Sequence, residues 1–372
     1  MSYNKKYMER AIEIALKGEG GVNPNPLVGA VIVKDNKIIG EGYHARYGDL
    51  HAERNAFANL IEDAEGAEMY VTLEPCCHYG KQPPCVEAIV EHKIAKVYVG
   101  SDDPNEKVAG KGIQYLLDRG IQVETQVMKE ECDSINPVFF HYITKGTPYV
   151  VMKYAMTMDG KIATYAGLSK WITGEAARNR VQYSRHKYTG IMVGIGTVLA
   201  DDPMLTCRIE GGRNPIRIIC DSKLRIPTDS NIVKTAKEVP TIVATLDLNK
   251  GDEGYEEYKE KIKFLEENGI EIISTKALDG HIDLQCLMNK LGEKNVDSVL
   301  LEGGGTLNYS ALSSGIVQEV QAYIAPKIFG GKKAVTPVEG IGVESPQDSF
   351  GFALEKVENI ENDILLTYVK KG

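Results

Sequence analysis

Short apolar runs rich in Val and Ile alternate with segments of helical period along nearly the whole chain, and that alternation leaves few folds open. Strands that alternate with helices bury their apolar faces by setting helices on both sides of a largely parallel sheet. Tyr7 to Lys17 places Met8, Ala11, Ile12, Ala15 and Leu16 on one helical face, and the Pro-rich stretch NPNPLVG then excludes helix. AVIV, the turn Asp35-Asn36 and KIIGEGY read as a hairpin. His51 to Ile61 is helical in pattern, MYVTLEP a strand, CVEAIVEHK a helix, KVYVGS a strand, IQYLLDRG a helix and IQVETQV a strand. The pattern breaks at ITKGTPYV, where Gly146 and Pro148 precede a new strand, PYVVMKYAMTM. At 372 residues the chain is long for one core, so the break is read as a boundary between units 1–146 and 147–372.

The second unit repeats the alternation. Glu175 to Lys187 is helical, and GIMVGIG, PIRIICD, TIVATL and EIIST are strands, with a charged helix from Tyr255 to Glu267 before the last of them. DSVLLEGGG runs from a strand into a glycine turn and a helix through Leu312, and QEVQAYIAPKIFG and DILLTYVKK close the sheet. Both units are therefore expected to be α/β. A formal net charge of −9 argues against a nucleic-acid surface, which needs a basic patch. No apolar run approaches the ~18 residues of a membrane span, and the charged start lacks a cleavage site, so a cytoplasmic protein is expected.

Seven cysteines form no even framework, and Cys76, Cys77 and Cys85 crowd into ten residues, which suits a metal better than disulfides. His51-Ala52-Glu53 precedes them, and Pro75 stands before Cys76. One imidazole and two thiolates supply the three protein ligands of a catalytic zinc site, whose fourth position is left for water. Glu53, two residues from the histidine, can carry a proton beside that position without binding metal. The pattern H-x-E…P-C-x-x-C marks zinc nucleobase deaminases. Here the second cysteine falls nine residues after the first, because position 79 is Tyr and CHYGKQPP intervenes. The plainer alternative is a structural zinc closed by Cys77 or His78, but such a site has no use for Glu53. Lys81 in the insert suits a substrate phosphate, although a lone loop lysine is commonly just solvated.

In the second unit LEGGGTLN places three glycines between a strand and a helix, where backbone N–H groups can approach phosphate. GTVLADDPMLTCR adds a Gly-rich loop, two aspartates and an arginine at another strand end, where open α/β sheets bind ligands.

GEGYHARYGDLHAE followed by EPCCHYGKQPPC resembles the deaminase part of the bifunctional riboflavin biosynthesis deaminase–reductases. The matching positions are Gly40, Gly42, His44, Gly48, His51, Glu53, Glu74, Cys76, His78, Gly80, Lys81, Pro83, Pro84 and Cys85. KYAMTMDGKIA, SKWITG, GTVLADDPMLTCR and LEGGGTLN, in this order, resemble the reductase part of the same family. The resemblance implies a cytidine-deaminase-like α/β/α sandwich followed by a dihydrofolate-reductase-like α/β domain, with Zn2+ and NADPH as cofactors. It implies zinc on His51, Cys76 and Cys85, proton transfer by Glu53, and deaminase substrate contacts from Asn23, His44 and Lys81. For the reductase it implies cofactor contacts from Ala155, Trp171, Thr197, Asp201, Ser222, Gly304, Gly305, Thr306, Leu307, Asn308, Tyr309 and Ser310. Substrate contacts there would come from Ser169, Arg185, Leu205, Arg208 and Glu302. Arg185 and Arg208 suit bidentate phosphate capture, and the sole Trp can cover a cofactor face.

The implied partners are small pyrimidine ribosyl phosphates, with no nucleic acid and no membrane, and a homo-oligomer is compatible with the sequence. Two rival readings stay open here. One is a nucleobase or tRNA deaminase with an appended nucleotide-binding domain. The other is a non-catalytic zinc-stabilised nucleotide-binding module.

Overall fold

The computed structural model describes residues 3–105, 108–278 and 280–371, and the chain divides into two compact units, Met1–Gly146 and Thr147–Gly372. In the first unit β1 (Gly29–Lys34), β2 (Lys37–Tyr43), β3 (Glu68–Leu73), β4 (Lys96–Ser101) and β5 (Gln122–Glu124) form one sheet in the order β2-β1-β3-β4-β5. β1 runs antiparallel to both its neighbours, and β3, β4 and β5 are parallel. The period-two alternation of strands explains the layers. Ala30 and Ile32 face one cluster with Met69, Val71, Val97 and Val99, whereas Val31 and Val33 face another with Tyr70 and Tyr98. The first cluster is covered by α2 (Ala52–Ala58), α3 (Cys85–Glu91) and α4 (Lys111–Leu117), and the second by α1 (Lys5–Ala15) and α5 (Lys129–Ser134); α6 (Pro137–Lys145) ends the unit.

β2 is an edge strand, and an exposed edge invites unwanted pairing. Here α2 covers it. Asn55 donates its amide to the Tyr43 carbonyl (2.9 Å), Asn59 to that of Glu41 (3.1 Å), and the Ile61 N–H to that of Ile39 (2.9 Å). Such an approach needs glycine on the strand. A Cβ at Gly42 would meet the Ala56 nitrogen and lie 2.6 Å from the Asn55 carbonyl carbon and 2.7 Å from the Ala52 oxygen, all main-chain atoms that cannot swing aside.

The second unit holds β6 (Tyr149–Thr157), β7 (Gly190–Gly194), β8 (Ile216–Cys220), β9 (Thr241–Leu246), β10 (Ile270–Thr275), the short pair β11 (Ala277–Leu278) and β12 (His281–Ile282), β13 (Ser298–Leu301), β14 (Val317–Ala325), β15 (Phe352–Ile360) and β16 (Asp363–Lys370). Its main sheet has the order β10-β9-β8-β7-β13-β6-β14-β16-β15, parallel from β10 to β14 and closed by antiparallel β16 and β15. Its helices are α7 (Glu175–Lys187), α8 (Ile195–Asp201), α9 (Asn231–Lys234), α10 (Tyr255–Glu267), α11 (Leu284–Glu293) and α12 (Gly305–Ser313). Met192, Ile218 and Ala244 pack toward α11, while Ile191, Val193, Ile219 and Val243 pack toward α8, α9 and α10.

The structure departs from the expected elements in places. The stretch read as a Gly-rich loop, GTVLAD, is helical in α8, and β5 is three residues long where seven were expected. α5, α6, α11 and β15 were not expected at all. No helix among the described residues is long and apolar enough to cross a membrane.

The close approach at Gly42 yields a prediction. Gly42→Ala should destabilise the first unit by about 1–3 kcal/mol, the usual cost of overpacking. A thermal scan should show the transition of that unit falling while reductase activity holds; an unchanged scan would mean α2 is free to move away.

Candidate active sites

His51 is the N-cap of α2 and Cys85 the first residue of α3, while Cys76 lies on the segment that leaves β3. Both helices cover the same face of the sheet, so sequence positions 51, 76 and 85 converge. His51 Nδ1 lies 3.4 Å from each of the two thiol sulfurs, and the three donor atoms are all within 4.8 Å of one another. Zn–N of about 2.0 Å and Zn–S of about 2.3 Å in a tetrahedron put N and S roughly 3.5 Å apart, so the donor set fits zinc. The Cys85 thiol donates to Cys76, which with the His51 contact holds the Cys76 thiol well below the usual thiol range against burial, and pushes Cys85 well above it. Two thiolates so close repel each other, and a divalent cation among them resolves the conflict.

Glu53 follows in the first turn of α2 and is buried, 4% exposed. Burial pushes its carboxyl above the usual range, and the negative charge of Cys76 adds to that. Glu53 opens with His51 and Cys76 into a cavity of about 350 Å³. His44 is buried in the same wall; the Asn25 amide lies 3.1 Å from its Nε2, and its Nδ1 lies 3.0 Å from the Leu50 carbonyl. A carbonyl only accepts, so Nδ1 carries a hydrogen, and burial shifts the ring's pKa downward. Lys81 lines the cavity with its Nζ 3.9 Å over the Tyr47 ring. Asn23 is not in that lining, whereas Asn25, Asp103 and Asn105 are. Asp103 is held up to about 6, chiefly by burial. Its signal in the sequence was position: DPN follows β4, at the carboxyl end of a parallel strand. Glu74, between β3 and Cys76, accepts from the Gly110, Gly112 and Ile113 N–H groups and so fixes the start of α4. Cys77 packs against the core beside α3, and burial raises its thiol.

In the second unit the named residues gather at the carboxyl ends of the parallel strands, where such sheets place ligands. Ala155 lies near the carboxyl end of β6, Ser222 follows β8, and Glu302 follows β13. Arg185, in the last turn of α7, donates to Glu302 through Nε (2.9 Å) and a terminal nitrogen (3.1 Å), and also to the Thr206 carbonyl (3.1 Å). Burial would raise Glu302, but Arg185 and Lys153 outweigh it and hold the carboxyl down to about 2. Lys153 was not singled out from the sequence; its signal is a lone cation inside the apolar strand YVVMKYAMT, 3.9 Å from Glu302.

Thr197 and Asp201 lie on α8, and Lys170, beside Trp171, pairs with Asp201 (3.7 Å). Trp171 is 60% exposed, with the Arg178 guanidinium 4.7 Å over its ring and its carbonyl accepting from Lys327 (2.8 Å). Ser169 lies two residues before it on the same exposed segment. Leu205 is buried with a φ of 51°, and three residues on Arg208 donates its backbone N–H to Gln182 (3.1 Å). Gly304 caps α12, which carries Gly305, Thr306, Leu307, Asn308, Tyr309 and Ser310. A Cβ on Gly305 would lie 2.8 Å from the Thr336 carbonyl, so that position accepts only glycine without a shift of main chain.

The two sites define a class: a zinc deaminase unit joined to a reductase unit with an α/β sheet. Residues 1–101 match the cytidine and deoxycytidylate deaminase zinc-binding region, and residues 148–366 match the RibD C-terminal domain. Riboflavin biosynthesis protein RibD of Actinobacillus pleuropneumoniae is 52% identical over 98% of this chain and 94% of its own length. A solved RibD of Acinetobacter baumannii is 35% identical with a TM-score of 0.86, covering 99% of both chains. The Thermotoga maritima diaminohydroxyphosphoribosylaminopyrimidine deaminase/5-amino-6-(5-phosphoribosylamino)uracil reductase is 36% identical with a TM-score of 0.85, covering 99% of this chain and 98% of that one. The chain belongs to the RibD family of bifunctional deaminase–reductases of riboflavin biosynthesis. The expected fold class, the two activities and the two cofactors, Zn2+ and NADPH, are thereby borne out.

The geometry distinguishes Cys77 from its neighbours. Cys76→Ser and Cys85→Ser should each lose zinc and deamination, while Cys77→Ser keeps both, as read by metal analysis of the purified proteins. A zinc-free Cys77→Ser protein would point to a closed, structural site.

Proposed function

We propose that residues 1–146 hydrolyse the 2-amino group of 2,5-diamino-6-ribosylamino-4(3H)-pyrimidinone 5′-phosphate. Residues 147–372 then pass hydride from NADPH to C1′ of the ribosyl group, giving the ribityl chain. The observation that carries the first half is the buried Glu53 carboxyl beside the His51, Cys76 and Cys85 donors, in a cavity that Lys81 also lines. Zinc held there supplies a Lewis acid that brings the pKa of water to around 7. Glu53 takes the proton of the water that adds at the amine-bearing carbon and delivers it to the departing nitrogen, which leaves as ammonia. Burial raises the Glu53 carboxyl above its ordinary range, the direction that helps a carboxyl group release as well as accept a proton. His44 and Lys81, both in the cavity wall, orient the substrate, with the Lys81 ammonium facing its phosphate; Asn23, outside that wall, acts only through its neighbours Pro24 and Asn25.

In the reductase half the residues act by orientation, since the hydride belongs to the cofactor. Ala155, Trp171, Thr197, Asp201, Ser222 and Gly304 to Ser310 hold NADPH along the strand ends. Ser169, Arg185, Leu205, Arg208 and Glu302 hold the pyrimidine ribosyl phosphate against it. The net charge of −9 argues against nucleic acid as a partner, and the partners proposed are small pyrimidine ribosyl phosphates in a cytoplasmic setting.

Two substitutions test the two halves. Glu53→Gln should keep one zinc per chain while deamination falls by at least ~100-fold, the low end for general acid–base catalysis. Loss of zinc in that variant would place Glu53 among the metal ligands. Arg208→Ala should weaken reductase substrate binding roughly ten- to a hundred-fold, the worth of a charge-assisted contact of ~1.5–3 kcal/mol, and leave deamination intact. Kinetics with deaminated intermediate supplied directly decide it, since an unchanged KM would make Arg208 a surface cation.

A further inference from the structure

We propose that Arg54 is a positioning residue of the zinc site, whose guanidinium fork holds the Cys85 segment in register with His51. The proposal rests on the zinc reading of His51, Cys76 and Cys85. Arg54 follows Glu53 directly on α2. A step of one residue turns about 100° around a helix, so Glu53 can face the cavity while Arg54 leaves sideways toward α3. Its Nε donates to the Pro83 carbonyl (3.0 Å) and a terminal nitrogen to the Pro84 carbonyl (2.8 Å). Pro84 is the N-cap of α3, and Cys85 is the next residue. Prolines offer acceptors and no N–H, so this segment can be gripped from its carbonyl side only by donors. A planar guanidinium presents two parallel donors to two adjacent carbonyls, which an ammonium cannot do.

The tie matters because of what lies at each end. Eight residues separate Cys76 from Cys85, long enough for the second thiol to drift without a brace. At the other end α2 is itself fixed, by Asn55 and Asn59 on the carbonyls of β2. The bracing therefore runs from the sheet edge through α2 and Arg54 to the residues that start α3. Gln82, in the same insert, donates to the Gly48 carbonyl (3.2 Å), and Lys81 beside it lines the cavity. A slackened insert would thus loosen both a zinc ligand and a cavity cation.

The test uses the full zinc-loaded chain and a competing chromogenic chelator. Arg54→Met keeps the aliphatic stem and removes the donors. It should release zinc at least ~10-fold faster than the parent chain, and deamination kcat/KM should fall by ~10–100-fold, the range for groups that orient metal ligands. Reductase activity, measured on the same preparation, should not move. Arg54→Lys, with one ammonium for two carbonyls, should fall between. Zinc release at the parent rate from Arg54→Met overturns the proposal. Should Arg54→Met be insoluble, Arg54→Lys decides alone, and parental zinc release from it overturns the role of the fork. A Cys85→Ser protein run alongside that kept its zinc would overturn instead the metal reading beneath the proposal.

Discussion

The deaminase unit is organised around an electrostatic conflict: a half-buried imidazole held 3.4 Å from two thiols, one buried and one half-buried. Three such donors cannot all present their basic forms to one another without a cation between them. Each neighbouring feature serves to impose that proximity. Glycine at positions 40 and 42 lets α2 lie on the main chain of β2, the Asn55 and Asn59 amides fasten it, and the N-termini of α2 and α3 bring residues 51 and 85 to one side of the sheet. Glu53 is buried by the same packing that orients His51, so its raised pKa comes from the architecture that gathers the ligands.

The reductase unit solves a different problem by related means. A buried carboxylate is costly unless paired, and Glu302 is paired twice over, with Arg185 and Lys153. The pair joins the end of α7 to the end of β13 and reaches the Thr206 carbonyl, in the loop that also carries Leu205 and Arg208. Charge pairing thereby ties together the strand end, helix end and loop that carry several of the proposed substrate contacts.

Much of this was legible from residues alone, and the omissions have physical causes. The zinc donors could be read because three metal-binding side chains and a glutamate at fixed spacing have little other use together. Most strands of the two larger sheets could be read from Val- and Ile-rich runs, since buried strands advertise themselves. β15 could not: FALEKVENI is a largely exposed edge strand, and an irregularity between Leu354 and Lys356 breaks its alternation. α8 has no helical signature in the sequence because it is only seven residues long and opens on Gly194, Ile195 and Gly196. Asn25, Asp103 and Lys153 carry little signal in the sequence because each becomes chemically significant only through neighbours distant in sequence, His44, the cavity wall and Glu302 respectively.

Deaminase chemistry here depends on zinc being held by three protein donors with one position open. Zinc-edge X-ray absorption on the intact, metal-loaded chain reads that shell directly. The expected result is two sulfurs at about 2.3 Å and two lighter N or O neighbours at about 2.0–2.1 Å, one of them from His51. A shell of three sulfurs, with Cys77 drawn in, would contradict it and make the site a structural clasp.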